Sequence, residues 1–177
     1  MSHIPDFAQS QDLNIQTMYN RVLIQLGLAA FRDGLISDCY SILGDICGTG
    51  RVRELIAQGI SKNSANEKEE RRRILPYHLH INTELIDATY LMTSMLVEIP
   101  LIASNDTRNV RYFRKFYEMY KNMYGPAETY KERIIVASRE LIKGNWQASY
   151  EQLINIKIWE KMPSHIEKVR DKCFLRS

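Results

Sequence analysis

Three cysteines in 177 residues, none of them in a C-x-x-C pair, leave nothing from which to build a disulfide framework or a structural zinc site. Cys39, Cys47 and Cys173 read instead as buried, reduced thiols, the usage of a cytoplasmic protein. Proline and glycine are scarce too, at five and eight, so each one can be read as punctuation. No apolar run reaches the ~18 residues of a membrane span without a polar break, because Leu79 to Ile102 is interrupted by His80, Glu84, Asp87 and Glu98. The N-terminus lacks a signal-peptide core. Neither sign of charge dominates: 24 basic against 21 acidic residues give a net +3, which neither demands nor forbids a nucleic acid. Catalytic signatures are missing as well, with no G-x-S-x-G elbow and no H-E-x-x-H. Gly44, Gly48 and Gly50 imitate a phosphate loop only loosely, since Arg51 stands where the lysine belongs and a helical segment precedes it. The expectation is a non-enzyme with no catalytic residue, metal, cofactor, small-molecule substrate or membrane contact.

What is present is an ordinary globular mixture, 45% hydrophobic and 25% charged, in a chain long enough to bury ~70% of its unfolded surface. Residues 1–14 read as a loose leader and 15–177 as one helical domain. A first helix is expected from Ile15 to Arg32, with Val22, Leu23, Leu26, Ala29 and Ala30 on its apolar side. Asp33-Gly34 breaks it, and Leu35 to Cys47 reads as an antiparallel partner. The design returns near the C-terminus: Tyr130 to Lys143, the break Gly144-Asn145, then Trp146 to Glu160. Aligned on Gly34 and Gly144, Ile24 matches Ile134, Phe31 matches Leu141, Tyr40 matches Tyr150 and Leu43 matches Leu153. Two degenerate helical hairpins fit an all-α solenoid of the tetratricopeptide type, with a helical bundle that holds two similar hairpins by convergence as the alternative. Residues 61–73 read as a charged connector, and Ser164 with Glu167 as a capping box for a last helix. Nothing reads as a strand.

Between the hairpins, Arg71 to Ala103 leads from a basic triplet into a helix apolar around most of its circumference, hence central and buried. Pro76 places its start beyond Leu75, and Pro100 predicts its end near Ile99. At about 100° per residue, His80, Glu84, Asp87 and Glu98 share one narrow arc, read as an exposed polar edge. A metal set of His80, Glu84 and Asp87 is disfavoured, because three or four convergent ligands with supporting bonds are needed. His78 is expected to bond a backbone carbonyl near the helix start.

The combination Arg71, Arg72, Arg73, Pro76, Tyr77, His78, Leu79, His80, Ile81, Asn82, followed by Glu98, Ile99 and Pro100, closely resembles the c-subunit family of eukaryotic translation initiation factor three. Weaker similarity extends through Tyr19 to Gly34, Arg51 to Ser61 and Ile134 to Trp159. The resemblance implies a PCI domain, a right-handed stack of antiparallel helical hairpins followed by a winged helix. No winged-helix sequence is found before Ser177, so apolar surface is expected at the C-terminal end. It also implies a scaffold that assembles with other subunits of the factor and with the small ribosomal subunit. A PCI scaffold of another complex, such as the proteasome lid, is the related alternative.

Arg108 to Tyr124 interleaves cations with aromatics. Projection separates them: Tyr112, Phe113, Phe116, Tyr117, Met119, Tyr120, Met123 and Tyr124 fall in one half of the circle, and the charges in the other. A stripe of that kind meets RNA through phosphates and lacks a stacking platform. Arg71, Arg72, Arg73, Arg108, Arg111, Arg114, Lys115 and Lys121 are therefore the candidate contacts to RNA or ribosome, with a solvated face as the plainer reading.

Overall fold

Glycine and asparagine set most of the boundaries. The computed structural model describes residues 12–60, 67–104, 112–120, 122 and 125–162. Their helices are α1 (Leu13–Arg32), α2 (Ile36–Cys47), α3 (Val52–Leu55), α4 (Glu67–Arg73), α5 (Thr83–Ala103), α6 (Tyr112–Tyr120), α7 (Tyr130–Ile142) and α8 (Trp146–Ile154). Short 3-10 turns cover Tyr77–Leu79 and Lys157–Lys161. No strand occurs among the described residues, so the fold is all-α. Cys173, the Ser164–Glu167 box and residues 61–66 of the connector lie outside them.

Both expected hairpins are present, α1 with α2 and α7 with α8. Gly34 and Gly144 take positive φ values of 77° and 82°. Around them the same pair of bonds recurs. Gly34 N–H donates to Phe31 O and Leu35 N–H to Ala30 O, just as Gly144 N–H donates to Leu141 O and Asn145 N–H to Glu140 O. This is the Schellman closure, in which a left-handed glycine lets the next residue reach back to an orphan carbonyl. Of the matched pairs, Ile24 with Ile134 and Leu43 with Leu153 are buried in both units. Thr129 and Glu132 close a capping box at the start of α7.

Helix α5 is the hub, packed against α1, α2, α6, α7 and the second 3-10 turn. Asn82 starts it, its side-chain oxygen accepting from the N–H groups of Glu84 and Leu85 at 3.0 and 3.3 Å. By length and composition the stretch Tyr77–Ile102 is apolar enough to cross a membrane, contrary to the polar-break reading, but 67% of its window is buried inside the protein. It is therefore accounted for as the core. Buried Thr93 and Ser94 satisfy their hydroxyls on carbonyls of the preceding turn, the usual way a polar group survives in a helix interior.

Several boundaries differ from the sequence reading. Pro100 does not end α5. The proline is exposed and near the end, so it removes one donor without burying an orphan, and Ser104 N–H closes the last turn on Pro100 O at 3.0 Å. The second hairpin is shorter than Glu160, because α8 stops at Ile154. There the chain turns back, Trp159 Nε1 donates 2.8 Å to Leu153 O, and its ring stacks on Phe31 at 5.6 Å. Within the charged 61–73 stretch, expected as an exposed loop or a helix end, the basic triplet forms the last turn of α4. On α1 the buried side runs through Ile24, Gly27, Leu28, Ala30 and Phe31, whereas Val22 and Leu26 face water.

Candidate interaction surfaces

Charge leaves the fold at two of the expected places. Arg71, Arg72 and Arg73 are exposed at the C-terminal end of α4, where cations also oppose the negative end of the helix dipole. Arg114 and Lys115 are exposed on α6. Arg108, Arg111 and Lys121 lie outside the described residues. The projection of α6 holds in its main point: Phe113 is buried, and Phe116, Tyr117 and Tyr120 are partly buried and in ring contact with one another or with Phe113. Met119 departs from it by facing water.

Lys115 also reaches the rim of a groove of about 1490 Å³ between the 48–60 loop and helices α5, α6 and α7. Arg51, Arg53 and Lys131 join it there, with Glu54 and Glu84 of opposite sign. Along one side sit four tyrosines and Asp87, with Glu98 fully buried behind them. Tyr130 Oη donates 2.6 Å to Asp87 Oδ2, and Lys131 Nζ lies 3.3 Å from the same oxygen. Tyr40 stacks on Tyr90 at 5.9 Å, and Tyr90 meets Tyr112 at 4.5 Å. Burial first, then the hydrogen bond to Glu98 for Tyr40 and to Asp87 for Tyr130, and the charge of Asp87 for Tyr112, pushes these three phenols above their ordinary range. Burial likewise pushes Tyr90 and the Cys47 thiol up to about 12.

An alkaline limit follows. All five acids are raised in the folded state, so the stability they confer is fully present below their unfolded pKa values of ~9–10 and is lost as pH climbs towards 12. The phenolate absorbance of these four tyrosines is expected to rise together with loss of helical circular dichroism in one cooperative step. Phenolate appearing near pH ~10 from these tyrosines with the helix signal intact would contradict it.

The expected polar edge of α5 dissolves into three separate fates. Glu84 is exposed and 3.6 Å from Lys161 Nζ, Asp87 is half-buried under Tyr130, and Glu98 is completely buried. Both oxygens of Glu98 are used: Oε1 accepts from Tyr40 Oη and Tyr112 N at 3.0 and 3.3 Å, and Oε2 from Phe113 N and Arg114 N at 3.0 and 3.4 Å. It caps α6 from another helix. Among the described residues no three His, Cys, Asp or Glu side chains converge as a metal set.

The two histidines exchange the roles expected of them. His80, not His78, bonds a backbone carbonyl, with Nε2 at 2.7 Å from Leu75 O, while His78 is exposed. Around His80 the 74–81 segment is strapped to the body. Leu75 N–H donates 3.0 Å to Ala57 O, Arg21 Nη2 donates 2.6 Å to Leu79 O, and the Gln58 amide both donates to Ile81 O and accepts from Ile81 N–H. The 3-10 turn that leaves Tyr77 exposed was not expected from the sequence, although Pro76 marks its start.

Paired helices around a central buried helix, with straps, caps and exposed cations but no convergent metal set among the described residues, define an all-α helical-hairpin protein. Comparison with known proteins narrows this. Residues 1–108 match the family model described as "Eukaryotic translation initiation factor 3 subunit 8 N-terminus". The chain is 41% identical to the c subunit of eukaryotic translation initiation factor 3 from Pyricularia oryzae, over 93% of its own length and 21% of that protein's. Against the corresponding proteins of Aspergillus clavatus and Emericella nidulans it is 39% and 37% identical, over 97% of this chain and 22% of each relative. The chain belongs to this initiation factor family and spans about a fifth of the length of these relatives.

Proposed function

We propose that this helical domain is a non-catalytic scaffold segment of a translation initiation factor 3 complex, acting in the cytoplasm. It joins other subunits of the factor and helps hold the assembly on the small ribosomal subunit, its hairpins continuing a right-handed stack. The observation that carries this reading is the outer face of α1. Met18 and Val22 are 68% and 63% exposed there, flanked by Ile15 and Leu26, at spacings of three and four residues that put all four on one stripe. Such a stripe marks a surface that another helical unit covers.

Met18→Asp combined with Val22→Asp in the intact subunit is expected to abolish co-purification with the other subunits of the factor. Both side chains are exposed, so the fold itself is expected to change by less than ~1 kcal/mol, visible as an unaltered circular dichroism spectrum and melting curve. Normal retention of the doubly substituted subunit in the complex would sink the reading. A second reading, RNA contact through phosphates, is favoured by the exposure of Arg71, Arg72, Arg73, Arg114 and Lys115, and it can operate alongside the first.

A further inference from the structure

We propose that Tyr77 is a stacking platform for an unpaired base of single-stranded RNA, with the flanking phosphates carried by Arg71, Arg72 and Arg73. The inference rests on the second reading above and adds to it the group that touches a base.

Tyr77 is 89% exposed, an unusual state for a side chain that brings 150–250 Å² of mostly apolar surface to whatever it contacts. Its position is fixed nonetheless. The 3-10 turn Tyr77–Leu79 is closed by Leu79 N–H on Pro76 O and His80 N–H on Tyr77 O, at 2.9 and 3.0 Å. Outside the turn, the bonds from Ala57, Arg21 and Gln58 hold its two ends to α1 and to the residues after α3. The His80 ring, anchored on Leu75 O, lies 5.5 Å from the Tyr77 ring at 49° and steadies it from one side. A side chain held this way forfeits little further freedom when a ligand arrives.

The neighbours select the ligand. Arg73 is four residues away, so its Cα lies within ~14 Å of that of Tyr77, a span of a few nucleotides even at the ~3.4 Å rise per phosphate of a duplex strand. A few nucleotides therefore bridge the ring and the guanidinium groups. The surroundings offer Arg71, Arg72, Arg73 and His78, all exposed, with Pro76 and Leu79 the adjacent apolar residues that reach water. A protein-binding aromatic anchor is typically central to a desolvated apolar patch. An aromatic face beside cations is the pairing that single-strand binders use. The α6 stripe lacks that partner, because its aromatic rings are turned inward.

The test is equilibrium binding of the intact subunit to a short labelled oligouridine and to an RNA duplex of equal length, at several salt concentrations. Tyr77→Ala is expected to weaken the single strand by about ten-fold or more, with the salt slope and duplex affinity unchanged. Tyr77→Trp is expected to keep the affinity and to show fluorescence quenching on binding. Charge reversal of Arg71, Arg72 and Arg73 is expected to lower both affinity and salt slope. If charge reversal acts as stated while Tyr77→Ala changes nothing, the stacking proposal is overturned and phosphate contact stands. Absence of any RNA binding at low salt overturns both. Loss of subunit retention on Tyr77→Ala, with RNA affinity intact, overturns the proposal in favour of a protein partner.

Discussion

Replacing Glu98 by alanine is expected to lower the melting temperature by roughly 6–20 °C, the consequence of about 3–5 kcal/mol. The side chain is fully buried, and its two oxygens receive the N–H groups of Tyr112, Phe113 and Arg114 as well as the hydroxyl of Tyr40. Those three N–H groups are the orphan donors of the first turn of α6. Helix α6 has nine residues, too few to be stable alone in water, so its attachment depends on this cap and on the rings beneath it. Hydrogen bonds to an ionised group contribute ~1.5–3 kcal/mol each, and leaving their donors buried costs more. Glu98→Gln keeps the shape but offers one acceptor oxygen, and its NH₂ opposes a donor, so about half the loss is expected. Tyr40→Phe removes one of these bonds and is expected to cost ~1.5–3 kcal/mol. Amide exchange should locate the damage, with protection lost first in α6. A melting temperature within ~2 °C of the parent for Glu98→Ala would show that the cap does not hold the helix.

Glu98 also shows what could and could not be read from residue order alone. Helical projection gives an angle about one axis, and it correctly drew α5 as a helix apolar nearly all round. It says nothing of what packs across that axis. An arc shared by His80, Glu84, Asp87 and Glu98 reads as a solvated edge, yet α6 crosses one end of it and α7 the middle. The hairpins were readable because their signal is local. Gly34 and Gly144 supply a backbone conformation that the turn requires, and the residues that close it lie within five positions. Ala57 shows the limit of that reasoning. It takes φ 54° and ends α3 with the same bonding pattern, Ala57 N–H to Glu54 O and Gln58 N–H to Arg53 O, where no glycine announces it. The candidate surface was half readable for a related reason. Exposed cations follow from composition and period, but the display of Tyr77 depends on straps from Arg21, Ala57 and Gln58, residues distant in sequence from the turn they hold.

At Gly27 a single added methyl group is expected to be felt in the core. A Cβ placed on it would lie 2.6 Å from Leu43 Cδ2 and 2.7 Å from Leu43 Cγ, far inside contact distance, so the two helices of the first hairpin approach at the limit that glycine allows. Leu43 has no exposed surface and is held in the core, which leaves it little room to yield. Alanine in a helix interior gains up to ~1 kcal/mol over glycine, while overpacking a filled core costs ~1–3 kcal/mol. The balance for Gly27→Ala is therefore up to about 2 kcal/mol of destabilisation, and Gly27→Val, with two further methyl groups, is expected to exceed ~3 kcal/mol. In the second hairpin the matching position carries Ala137, itself fully buried, so that pair of helices already accommodates a methyl. A double-mutant cycle separates steric conflict from simple propensity. Leu43→Ala alone is expected to cost ~2–5 kcal/mol through the cavity it leaves. With Gly27→Ala added, the new methyl enters that cavity, and the pair should be less destabilised than the sum of the singles by at least ~1 kcal/mol. Strict additivity, or a Gly27→Ala protein more stable than its parent, would mean that the helices part without cost and that their contact does not set the hairpin geometry.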